Sequence, residues 1–144
     1  MSKNNISLIT VSFKQGFISP NVPIATFYQE DKKINLLLDT GSDNNVIDQE
    51  ALKQFKHTIK EDAKKQQITG VGGVQSEALT TTISFSLNDK AYSTDFLVTD
   101  LSAAFDLIEA EHCITIHGIL GSRFLREHGL VLDFQNLVAY NREG

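Results

Sequence analysis

The chain is poor in the residues that staple or stiffen small proteins. It holds one cysteine, Cys113, so no disulfide can close within it. A lone thiol is compatible with a reducing compartment. With only two prolines and nine glycines, no Pro- or Gly-rich linker divides it. No apolar run approaches the ~20 residues that a membrane helix requires, so no membrane partner is expected. The first residues, MSKNNISLITVSF, hold a lysine but no long apolar block before a small-residue cleavage site. No secretory signal is expected, and a cytoplasmic location follows as an expectation. Positive charge is scarce too: 13 Lys and Arg against 18 Asp and Glu leave a net charge of −5. That balance argues against a general affinity for nucleic acid or acidic membranes. His112, Cys113 and His117 lie close together, yet neither HExxH nor CxxC is present. Zinc sites need three or four ligands at defined spacing, so no metal and no cofactor is expected. Cys113 stands in the apolar run CITIHGIL and reads as a buried, inert thiol.

What is present suffices for one core. Of 144 residues, 41% are hydrophobic, and a chain of this size buries roughly 68–70% of its unfolded surface. Residues 1–144 are expected to form a single domain. ISLITVSF (6–13) is β-branched and aromatic and reads as a strand. Pro20 and Pro23 mark a turn before a second strand at about 23–30, and EDKK (30–33) turns it back into 34–38 as a hairpin. VIDQEALKQF then changes period. Val46, Ile47, Ala51, Leu52 and Phe55 fit one face of a helix that Asp48 can cap. QITGVGGVQSEALTTTISFSL reads as two strands joined by a glycine-rich tip, and LNDK (87–90) as a tight turn into a strand at 91–98. DLSAAFDLIEAEHC (100–113) has Leu101, Ala104, Phe105 and Ile108 at helical spacing, with Asp100 or Ser102 to cap it. GILGSRFLREHG is a short buried run and then a helix closed by Gly129. LVLDFQNLVAY is a hairpin turning at DFQN. Seven or eight strands with two or three short helices, in hairpin-rich order, predict a mainly antiparallel β-domain.

One stretch carries chemistry. INLLLDTGSDNNVID (34–48) runs an apolar segment straight into Asp39, Thr40 and Gly41. As turn chemistry the tripeptide is ordinary, since Asp caps nearby amides and Gly accepts positive φ. A carboxylate directly after Leu36, Leu37 and Leu38 is also a group whose charge burial disfavours. On the tripeptide alone both readings stand.

The wider context adds Ser42 after the tripeptide, ITGVGGVQ at 68–75 and HGILGSRFL at 117–125. With these the chain resembles the retropepsin-like aspartic proteases, single-domain relatives of the retroviral protease, over roughly residues 20–141. The resemblance implies a closed antiparallel β-barrel-like fold with a flap hairpin and two or three short helices. It also implies an aspartic endopeptidase acting on peptide or protein substrates. Two adjacent carboxyls sharing one proton can take a proton from water and give one to the scissile bond. The motif occurs once here, so the second carboxyl must come from another copy, and a homodimer is required.

The resemblance assigns catalysis to Asp39, Thr40 and Gly41. Thr40 would tie the two turns together across the axis, and Gly41 would accept a bond from the substrate backbone. Ser42, where retroviral members commonly have alanine, matches the pepsin-type motif. Its hydroxyl, donated to the outer carboxylate oxygen, would lower the pKa and move the pH optimum towards acid. Ile119 and Leu120 before Gly121 would prop the catalytic turn. Gly70, Val71, Gly72, Gly73 and Val74 would form the flap, with no tyrosine at its tip. Val71, Val74, Ile119 and Leu120 point to apolar substrate pockets. Retroviral members often place Arg directly after the glycine that Gly121 matches, paired with an acidic residue matching Asp43. Here Ser122 follows and Arg123 stands one later, which leaves the partner of Asp43 open. Two other classes stay in view. One is a silent or very slow domain of the same fold, used for peptide binding or dimerisation. The other is a phosphate-cradling turn of the actin-like ATPase kind, which needs a much longer chain and a second phosphate loop.

Overall fold

The computed structural model describes residues 8–12, 14–15, 22–60, 66–69, 75–87 and 89–142. Strand β1 (Leu8–Ser12) precedes the first hairpin, made of β2 (Ile24–Gln29) and β3 (Lys32–Asp39). They pair antiparallel from Ile24↔Leu37 to Gln29↔Lys32. On β3, Ile34, Leu36 and Leu38 point into the main core, while Leu37 packs with a second cluster on the opposite face. A strand covered on both faces is apolar without alternation. This accounts for the unbroken Leu36-Leu37-Leu38 run.

Six strands close a barrel. After β3 come β4 (Val46–Asp48), β5 (Thr58–Ile59), β6 (Gln66–Thr69), β7 (Gln75–Leu87), β8 (Lys90–Thr99) and β9 (Gly118–Gly121). The barrel order is β2-β3-β9-β4-β8-β7, and β7 returns to β2 through Tyr28↔Ser86. β5 and β6 add to β7. A separate three-stranded sheet joins β1 to β11 (Val138–Arg142) and β11 to β10 (Leu130–Asp133). Helices α1 (Gln49–Leu52), α2 (Ser102–His112) and α3 (Ser122–Glu127) complete the described elements.

The barrel core is aromatic. Phe27 and Phe85 meet edge-on at 5.1 Å, and Phe85 and Tyr92 stack at 5.5 Å. Each such fully buried side chain stabilises the fold by about 1.5–3 kcal/mol. The second cluster, Ile24, Phe105 and Ile116 with Leu37, Leu101, Ile108 and Ile119, seats α2 against the other face of β3 and β9.

The closed, mainly β architecture with short helices is as expected, with four differences. Two of its ladders, β3–β9 and β4–β8, are parallel. Hairpin order shows only consecutive pairings, and these partners lie far apart in sequence. Val46 and Ile47 form strand β4 rather than a helical face, because β8 on one side and β9 on the other supply ladder partners. The helix that follows has only four residues, but Asp48 does cap it, Oδ2 accepting the Ala51 N–H at 3.1 Å. Cys113 is exposed, not buried; it ends α2 in the left-handed conformation, φ 61°, before the chain turns inward. No helix among the described residues is long and apolar enough to cross a membrane.

Candidate active site

The parallel strands β3 and β9 end side by side, with Asp39 opposite Gly121 and Leu38 opposite Leu120. The Asp39 turn therefore sits directly beyond a doubly buried ladder. Leu120 is fully buried in the barrel core, and Ile119 packs in the second cluster. Leu120 therefore offers no surface to a substrate pocket, whereas Ile119 is only half-buried. Asp39 is half-buried, whereas Thr40 and Gly41 are exposed. The Gly41 N–H donates to Asp39 Oδ1 at 2.9 Å, and the Ser42 N–H to the Asp39 carbonyl at 3.2 Å.

The turn is fastened from below by the next element. A helix begins with amides that have no partner inside it. Two amides at the start of α3 find the turn: Ser122 N–H donates to the Ser42 carbonyl at 2.7 Å, and Arg123 N–H to the Asp43 carbonyl at 3.4 Å. The partner left open for Asp43 is Arg123, whose guanidinium lies 2.8 Å from Asp43 Oδ2. The one-residue offset of the arginine is absorbed by the helix start. Both side chains are largely exposed, so the pair is worth about 0–1 kcal/mol. The Ser42 hydroxyl donates to the Asn44 carbonyl at 2.7 Å rather than to Asp39, because that acceptor lies within the same tight turn.

Two further groups hold the site and escape a reading of the sequence. Asn45 is buried, and its Oδ1 accepts the Gly121 N–H at 2.9 Å. His117, immediately before β9, is buried with its Nδ1 accepting the Asn35 N–H of β3 at 2.9 Å. The His117 N–H returns a bond to the Asn35 carbonyl at 2.9 Å, and the His117 carbonyl accepts from Asp48 N–H at 3.0 Å. Burial holds the His117 imidazole below its usual pKa, against the pull of Glu109 and Asp48. The only hint in sequence is the polar Asn44-Asn45 pair set directly before an apolar strand. The two strands expected to carry the flap, β6 and β7, pair up to Thr69↔Gln75. Gly70, Val71, Gly72, Gly73 and Val74 lie outside the described residues.

A family profile described as aspartyl protease matches residues 25–124. The chain belongs to the aspartyl protease family. The matched span runs from β2 into α3, and so takes in the Asp39 turn and β9. Its fold is similar to that of EIAV protease complexed with the inhibitor HBY-793. That match has 22% identity and a TM-score of 0.55, covering 81% of this chain and 96% of the viral one. It is also similar to a retropepsin-like aspartic protease from Rickettsia conorii, at 16% identity and a TM-score of 0.57 with both chains fully covered. No curated protein matches the chain.

Proposed function

We propose that this aspartyl protease hydrolyses peptide bonds as a homodimer of single 1–144 domains, with one Asp39 from each chain forming the dyad. The observation that carries the reading is the placement of Asp39. Its carboxylate stands half-buried at the end of a two-sided ladder, on a turn anchored by β9 and α3, and the motif occurs once per chain. One carboxyl cannot be base and acid in the same step. Two on a twofold axis can, because like charges in contact keep one proton between them.

In this mechanism the charged carboxylate removes a proton from the water it holds. The water oxygen attacks the scissile carbonyl carbon while the second, protonated carboxyl gives its proton to the carbonyl oxygen. The resulting gem-diol collapses as a proton passes to nitrogen, and the C–N bond breaks. The exposed Thr40 is free to bond across the axis, and exposed Gly41 leaves its carbonyl open to the substrate backbone. Residues 70–74 would close over the peptide, donating amides and excluding water.

The test is digestion of a broad peptide library across pH 3 to 8 by the wild-type chain and by Asp39→Asn. Cleavage by the wild type alone supports the reading. Equal cleavage by both, or cleavage by neither, removes it. The acid shift assigned to Ser42 requires its hydroxyl to leave Asn44 for Asp39 when two turns meet. Ser42→Ala should then move the acid limb of the pH–rate profile upward; an unmoved limb refutes that role.

A further inference from the structure

Behind the Asp39 turn, Asn45 makes more side-chain bonds between separate elements than any catalytic assignment requires. It is 8% exposed. Its Oδ1 accepts the Gly121 N–H at 2.9 Å. Its Nδ2 donates to the Asp95 carbonyl at 3.1 Å and to Thr94 Oγ1 at 3.3 Å, both on β8. Its own carbonyl accepts the Leu97 N–H at 2.9 Å. One side chain thus joins the end of β9 to β8, at the glycine paired with Asp39.

No ladder does this job. β4 begins only at Val46 and meets β9 no further along than Ile119, so Gly121 lies beyond the end of that pairing. On the β9 side the amide of Asn45 continues the sheet by one bond beyond Val46↔Ile119, and on the β8 side it adds to the bond that its own backbone carbonyl makes with Leu97. An unpaired buried N–H is costly, so Gly121 follows whatever position Asn45 takes. A cavity of about 340 Å³ opens beside it, lined by Asp43, Thr80, Asp95, Arg123 and Glu127 among others. That space gives the strand end room to move once the bonds are lost.

We infer that Asn45 is a positioning residue for catalysis, fixing the height of the Asp39 turn by holding Gly121 to β8. The inference rests on the peptidase reading for its consequence, and on hydrogen bonding alone for its geometry. A displacement of about 1 Å at a reacting group costs up to about 100-fold in rate. Removing the side chain loosens the turn while the aromatic core of the barrel stays packed.

Two variants test it in the full chain. Asn45→Ala should lower kcat by about 10- to 100-fold with KM changed less than about 3-fold. It should also speed hydrogen exchange at the Gly121 amide while amides of the β7–β8 ladder keep their protection. Asn45→Asp supplies the readout that a merely structural role does not move. Its carboxyl, when protonated, accepts from Gly121 and donates to the Asp95 carbonyl; when ionised, it repels that carbonyl. Burial and the nearby Asp43, Asp95 and Glu127 favour its neutral form, and Arg123 opposes it. The ratio of variant to wild-type kcat should therefore recover as pH falls, with circular dichroism recorded at each pH to separate loosening from unfolding.

Unchanged exchange at Gly121 in Asn45→Ala overturns the inference whatever the activity. So does a wild-type kcat in that variant, or a kcat ratio for Asn45→Asp that is flat with pH. A wild-type chain that cleaves nothing removes the peptidase reading and, with it, the catalytic role; the exchange measurement then still decides whether Asn45 holds the strand end.

Discussion

At Gly121 the backbone is ordinary, with φ −89°, and a side chain is excluded by space alone. A Cβ there would lie 2.5 Å from the Asn44 carbonyl oxygen and 2.6 Å from that of Ser42. Gly121→Ala must push the Asp39 turn away from β9. It should cost about 1–3 kcal/mol in thermal unfolding and lower kcat together with stability. Gly129 is the opposite case. Nothing lies within 4 Å of its virtual Cβ, but its φ is +60°. Gly129→Ala should cost about 1–2 kcal/mol with activity per folded molecule unchanged, and the two variants measured side by side separate crowding from strain. The Asp39 turn was legible in sequence because its chemistry is local: three consecutive residues make the turn and carry the carboxylate. Asn45 was not, because its partners Gly121 and Asp95 are distant in the chain.

Between elements, the join of β3 to β9 contains a titratable group. His117 Nδ1 can accept the Asn35 N–H only while it carries no proton. Burial depresses the folded pKa, with Glu109 and Asp48 pulling the other way. The sign follows. Above the unfolded value of about 6.5 both states are neutral and the join is intact. As pH falls below it, the unfolded chain binds the proton first, so stability declines towards the depressed folded value. His117→Asn, which offers an acceptor near Nδ1 and does not titrate, should flatten the melting temperature between pH 7 and pH 5. His128, also lowered by burial and by Lys90, remains in both proteins, so the difference between the two curves reports His117. Parallel curves would show that the join does not sense protons. At this scale the sequence read well wherever an element announced its own ends. α2 has apolar spacing, although its N-cap is Leu101, with no side-chain cap, rather than Asp100 or Ser102, and Asp100 accepts the Ser102 N–H from just outside; the β10–β11 turn is held by Asp133. It misread β4 because three residues are too few to show a period, and their strand character is conferred by β8 and β9.

For the whole molecule, the proposed dimer makes activity a property of pairs. At fixed total chain concentration, replacing wild-type chains with Asp39→Asn should reduce activity as the square of the wild-type fraction once exchange is complete. A linear fall would mean that each chain works alone. The sequence conveyed the barrel through its hairpins but not how the barrel closes. β2 meets β7 in the ladder only at Tyr28↔Ser86, reinforced by the Ser86 hydroxyl donating to the Tyr28 carbonyl at 3.4 Å and by Gln29 Nε2 donating to the Ser84 carbonyl at 3.0 Å. Elsewhere around the wall, strands share two to nine consecutive registered positions. The molecule therefore has a seam, held by few bonds with that of Gln29 among them, on the edge of β2 away from β3. Slow breathing of the cylinder should begin along that line. Gln29→Ala should deprotect amides there first, long before those around the acid group, and leave the chemistry running inside a wall that has started to unzip.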